Sequence, residues 1–261
     1  MDSNYFMGLD GFVWFTGVVE DRNDPSQLGR VKVRCLGYHT EDLNDIPTED
    51  LPWAHVMHPV TDPSMQGMGS SPSFLLEGSW VVGFFRDSRE KQQPVIMGTL
   101  PGYPQEVADT TKGFNDPNGT YPSSEITHSK HSTNESDVNR LARNETDKAH
   151  SVVVTKNDSI TEDVPIANVD TTWTEPSSAY AATYPKNHVF ESESGHIKEI
   201  DDTTDNERIH EYHTAGTFYE IDKDGNKSTR VVGSNYEVVA GSNYVNVKGD
   251  VNLTIDTNCN T

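Results

Sequence analysis

Apolar and polar positions alternate along several short stretches of this chain, and the alternation predicts strands rather than helices. "FVWFTGVV" (Phe12–Val19) and "RVKVRCLG" (Arg30–Gly37) are separated by the turn-rich "EDRNDPSQLG". "PWAHVMHPV", "GSWVVGFFRD" and "PVIMGTL" supply three further strands before Leu100. Five short strands in about ninety residues fit a small Greek-key barrel of the OB type, with a small sandwich as the other solution. From residue 101 to 187 the pattern fades into Ser, Thr, Asn, Asp and Pro, and only "DVNRLARNE" hints at a helical turn. Strand signals return with "HVFESESGHIKEIDD" and "NERIHEYHTAGTFYEIDKDGNKS", where "DKDG" predicts a hairpin turn. The predicted organisation is a domain over 1–105, an extended linker over 106–187 and a strand-rich neck and repeat over 188–261.

The last segment carries a period of eight. Gly225, Gly233, Gly241 and Gly249 recur at that interval, and six places after each comes a β-branched residue: Val231, Val239, Val247 and Ile255. Eight does not fit helical spacing, but it fits a strand of about six residues plus a glycine corner. Glycine suits a corner because it reaches positive φ. The expected form is a β-solenoid or intertwined β-helix in which the aliphatic position stacks on itself. A meander of short hairpins is the plainer alternative.

Composition narrows the function. Over 261 residues the chain is 33% hydrophobic with a net charge of −21, which argues against nucleic-acid or anionic-membrane binding. It contains no apolar run long enough for a membrane span, and its start lacks the plan of a signal peptide, so cytoplasmic synthesis is expected. Cys35 and Cys259 are expected to be free thiols. Pairs such as His210 with His213, His55 with His58 and His128 with His131 lack the HExxH spacing. They are expected at the surface or between chains, and no metal or cofactor is expected. Acidic pairs such as Asp201 with Asp202 and Glu191 with Glu193 are expected on a solvated face. Trp14, Phe15, Trp53 and Trp80 offer either a stacking platform or a barrel core.

"DPSQLGRVKVR", "LPWAHVMHPV" and "GSWVVGFFRDSREKQQPVIMGTL" resemble the N-terminal OB domain of contractile-injection spike proteins. "SGHIKEIDDTTDNERIHEYHTAGTFYEIDKDGN" resembles the segment that leads into their β-helix. "GFNDPNGTYP" brings the wording nearest to the central spike and baseplate hub of T-even-type phages. The resemblance implies an all-β homotrimer in the virion, with an OB barrel, a linker and an intertwined trimeric β-helix. It implies docking on a trimeric hub ring beneath the tail tube and piercing of the host outer membrane. Secretion and bacteriocin spikes share this plan, and an OB-based glycan binder or a cell-wall hydrolase are the remaining classes. T-even relatives carry a lysozyme domain between barrel and β-helix. Here that interval is only residues 101–187, so no catalytic residue is carried over and no enzyme is expected. The ending after four octads implies a short spike or one completed by a separate tip protein.

Overall fold

β-Branched and aromatic residues at every second position build the first unit. The computed structural model describes residues 11–70, 73–122, 133–146 and 162–255. Strands β1 (Val13–Asp21), β2 (Val31–Cys35), β3 (Trp53–Val56), β4 (Trp80–Phe85) and β5 (Pro94–Thr99) close a barrel in the order β1-β2-β3-β5-β4. All neighbours are antiparallel except β3 and β5, which run parallel. This closure leaves no free sheet edge. Phe15, Val19, Val33, Val81, Phe85 and Ile96 fill the interior around the thiol of Cys35, whose pKa burial pushes up to about 12. Cys259 lies outside the described residues. Gly83 sits at a register shift between β4 and β5, where a methyl would run into the Val95 carbonyl and the Phe15 ring.

One buried ion pair ties the following chain onto this barrel. Glu20 on β1 takes the Arg34 guanidinium on β2 at 2.6 Å, and both side chains are fully buried. Arg34 also donates to the carbonyls of Thr40 and Ile46, while Glu20 accepts from Thr48 Oγ1 and from the Phe114 amide. Every charge-bearing atom of the pair thus finds a partner, which buried ions require. Gly113 is needed for this approach, because a Cβ there would collide with the guanidinium. Asp116 then folds "DPNGTY" by accepting from the amides of Asn118, Thr120 and Tyr121.

The second unit begins after Val138. Its strands β8 (Asn187–Glu191), β9 (Ile197–Asp201), β10 (Arg208–Tyr212), β11 (Phe218–Ile221) and β12 (Lys227–Arg230) form an antiparallel meander in chain order. A two-stranded ribbon, β6 (Val164–Pro165) with β7 (Thr172–Trp173), precedes it. Leu141, Ile197, Tyr212 and Phe218 make a small core, with Tyr180 and Val189 packed against it. The span 106–187, expected as one extended linker, is therefore divided. Residues 113–122 belong to the barrel unit, and the 3-10 turn Leu141–Arg143 lies against β8 of the sheet unit.

Candidate functional site

The first octad opens in the turn before β12 and includes that strand, and the other three follow it. Gly225 has φ +81° in the hairpin between β11 and β12, as "DKDG" predicts. Asp222 fastens that turn by accepting from the amides of Asp224 and Asn226 and from Asn226 Nδ2. Gly233, Gly241 and Gly249 have no such φ, so only the first of the four corners uses glycine's left-handed freedom here. The chain from Val231 to Ile255 carries no helix or strand. Among the described residues, the backbone from 233 to 255 makes no hydrogen bond to other backbone. Val232 donates to Thr217 Oγ1, and Asn243 to Glu237.

The eight-residue frame is nevertheless visible in how side chains stand. Val231, Val239, Val247 and Ile255 are 37%, 48%, 51% and 45% exposed, while Val238, Tyr244 and Leu253 reach 92%, 91% and 78%. In each octad the β-branched residue at the repeating position is the most sheltered apolar side chain. It holds this place without help from another strand.

Beneath the octads the sheet stores charge rather than oil. Arg208 lies between Glu199 at 2.7 Å and Glu220 at 2.9 Å, and all three side chains are buried. His210 Nδ1 meets the other Glu199 oxygen at 2.8 Å, and Asn187 Nδ2 donates to Glu199 at 2.9 Å. Glu220 also accepts from the Ala179 amide and Ser178 Oγ, and Arg208 stacks on the Tyr180 ring. Tyr180 in turn donates to the Leu141 carbonyl at 2.6 Å, which secures the 3-10 turn. Arg230, the last residue of β12, pairs with Glu175 at 2.8 Å. This lattice holds rigid the strand from which the octads leave.

These positions correct two expectations. His210 is buried inside one chain, neither at the surface nor between chains. Its partner in the pair, His213, faces away and stacks on His196 at 4.5 Å. Asp201 is likewise buried, and Glu191 is partly buried against Asn139, although both were expected on a solvated face. The cause is the period of two: Ile197 and Tyr212 turn inward, so Glu199, Asp201, Arg208 and His210 must follow. His128 and His131 lie outside the described residues. Among the described residues no group of three or more His, Cys, Asp and Glu is placed to hold a metal.

The lattice has an acid signature. Burial opposes the charge of Glu199, but His210, Arg208 and Asn187 outweigh it and hold the carboxyl at about 2, against an ordinary 4.5. The folded pKa lies below the unfolded one. Its stabilisation is therefore complete above about pH 5 and is lost as pH falls through 4.5 toward 2. Glu191, raised by burial, acts with the opposite sign and offsets part of the loss. Calorimetric melting from pH 6 to 2.5 is expected to show the sheet weakening over that window, and less steeply in Glu199→Gln. Equal slopes would contradict the assignment.

The aromatic residues divide. Phe15 enters the barrel core, whereas Trp14 stands outside with Phe12 and Phe84, at ring distances of 4.7 and 6.3 Å. Trp53 lies under Arg30 and Lys32. Trp80 lines a cleft of about 820 Å³ with Tyr103, Tyr121, Glu106 and Asp137, and among the described residues no lysine or arginine borders it.

A closed five-stranded barrel of this order, followed by a charge-filled sheet and the octad segment, defines an OB-barrel protein with a second, sheet-built unit. A family model described as the Gp5 N-terminal OB domain matches residues 37–188, from the end of β2 through the span that packs on the barrel and up to β8. The chain belongs to this family. It is 42% identical over 279 aligned residues to Protein Gp5 of Vibrio phage KVP40, covering 96% of this chain and 65% of that protein. It is 45% identical over 114 residues to the Pre-baseplate central spike protein Gp5 of Enterobacteria phage T4, covering 42% of this chain and 20% of that protein. The chain thus spans less than two thirds of the length of either relative.

Proposed function

We propose that this chain is a structural component of a contractile phage tail, the homotrimeric central spike and hub of the baseplate. The observation that carries the reading is the octad segment. Among the described residues, 231–255 find no backbone partner, while four β-branched side chains in one frame stand about half exposed. Bare backbone and a periodic apolar seam on one chain call for further strands. Three copies winding about one axis would pair the backbone and bring Val231, Val239, Val247 and Ile255 inward. The T4 relative's name as a pre-baseplate central spike protein supports the same role.

In this reading the barrels dock on a trimeric hub ring beneath the tail tube, and the narrow prism pierces the outer membrane when the tail contracts. The action is mechanical, and turnover of purified peptidoglycan by the protein would contradict it. Light scattering on the full chain is expected to give about 3 × 29.0 = 87 kDa. A mass of 29.0 kDa at micromolar concentration would remove the trimer and with it the spike.

A further inference from the structure

The barrel unit carries a cleft for which a mechanical spike has no use. Its volume of about 820 Å³ lies within the ~300–1,000 Å³ usual for ligand sites. All of its lining comes from residues 76–137, inside the barrel unit. Three aromatic residues line it from three segments: Trp80 at the start of β4, Tyr103 after β5, and Tyr121 in the turn built on Asp116. Trp80 is 43% exposed and Tyr103 67%. The walls are set before any ligand arrives. The Gly102 amide donates to Asp137 Oδ2 at 2.8 Å, and the Asp137 amide donates back to the Gly102 carbonyl at 2.9 Å, which fixes the chain beside Tyr103. The Leu100 amide donates to the Trp80 carbonyl at 2.9 Å. Gly78, at φ +88°, passes so near that a Cβ there would stand 3.1 Å from the Tyr121 carbonyl. A preformed cleft spares a ligand the cost of ordering its walls.

We propose that this cleft binds a neutral oligosaccharide, with sugar rings laid against Trp80 and Tyr103. Charge selects the class. Among the described residues no lysine or arginine lines the cleft, so a ligand bearing phosphate or carboxylate would meet only acid there. Two of the carboxylates are already engaged. Glu77, which is buried, pairs with Arg22 at 3.3 Å, and Asp137 holds the Gly102 amide. The cleft therefore does not call for a cationic peptide either. What it offers is flat apolar rings beside oxygen acceptors, with the side-chain amides of Gln105 and Asn115 at its edge. A pyranose matches both, because one face presents C–H groups and its rim presents hydroxyls.

Isothermal titration of the full chain with cellotetraose, chitotetraose and maltotetraose, all uncharged, tests the proposal. At least one is expected to bind with measurable heat at millimolar concentration. Tyr103→Ala and Trp80→Ala are each expected to weaken that binding about tenfold, the loss of one stacking ring. Trp14→Ala, which removes an exposed ring outside the cleft, is expected to leave it unchanged. Tyr103 is too exposed for its loss to threaten the barrel, and an unaltered melting temperature in Tyr103→Ala is the check on folding. No heat from any of the three sugars would overturn the proposal. Binding that survives both cleft substitutions would place the sugar elsewhere and overturn it equally. Heat from tetralysine with none from the sugars would overturn it in favour of a cationic peptide. The lining belongs to one barrel unit, so failure here leaves the trimeric spike untouched, and a single-chain mass leaves the cleft untouched.

Discussion

Arg208→Ala is expected to cost the C-terminal sheet about 3–5 kcal/mol, the range for breaking a buried ion pair by removing one partner. The side chain lies within ion-pair distance of both Glu199 and Glu220, and His210 stands beside Glu199. Without it two buried carboxylates each lose an ion-pair partner, and the Tyr180 ring loses its covering guanidinium. Burial alone works against Arg208, but Glu199 and Glu220 outweigh it and raise its pKa, so the cation is held firmly at every ordinary pH. Domain stabilities of about 5–15 kcal/mol leave little margin for such a loss. Denaturant titration of the full chain should therefore show the sheet unfolding well ahead of the barrel. Replacing the three ions together, by Arg208→Met, Glu199→Leu and Glu220→Leu, is expected to recover most of the loss, since an apolar set of like volume needs no charge balance. A single variant within about 1 kcal/mol of the parent would mean the lattice is incidental.

Much of this architecture is legible in the chain because period two is a strong signal where hydropathy and burial agree. "VKVRC" alternates in sequence, and the barrel takes Val31, Val33 and Cys35 into its core. The octad frame is legible for a different reason: repetition needs no knowledge of what lies inside. The inverted sheet is not legible. In "IKEID" and "RIHEY" alternation marks two faces, but hydropathy points to the wrong one, because isoleucine and glutamate share the phase choice. What decides is tertiary: Tyr180 meets Arg208 from 28 residues upstream, Asn187 meets Glu199 from 12 residues upstream, and both are fixed by the Leu141 carbonyl; no local pattern announces them. Glu20 and Arg34 are hidden in the same way, since their last partner, the Phe114 amide, comes from 94 residues downstream of Glu20 in a span that composition marks as linker. Had "DPNGTY" been read for its Asp-led turn rather than its polarity, Asp116 would have signalled local order there.

The second large effect belongs to the octads, and it separates a periodic core from a merely polar tail. Val239→Asp is expected to abolish assembly, with the mass falling from about 87 kDa to 29.0 kDa. In the wound trimer the three copies of position 239 meet at one level of the axis. Each carboxylate there would forfeit its hydration at an effective cost of several kcal/mol, and three like charges would crowd within a few ångström. The adjacent Val238→Asp is the decisive control. Val238 is 92% exposed in the chain against 48% for Val239, and in an extended strand consecutive side chains point to opposite faces. The same charge one residue earlier should therefore remain in water and leave the mass at 87 kDa. If both variants assemble, the octad frame does not define the axis. If both fail, the tail tolerates no added charge at either face, and its repeat is not read by burial. Only the asymmetric outcome, loss at 239 and retention at 238, fits a prism whose rungs return the same side chain to the same axis every eight residues.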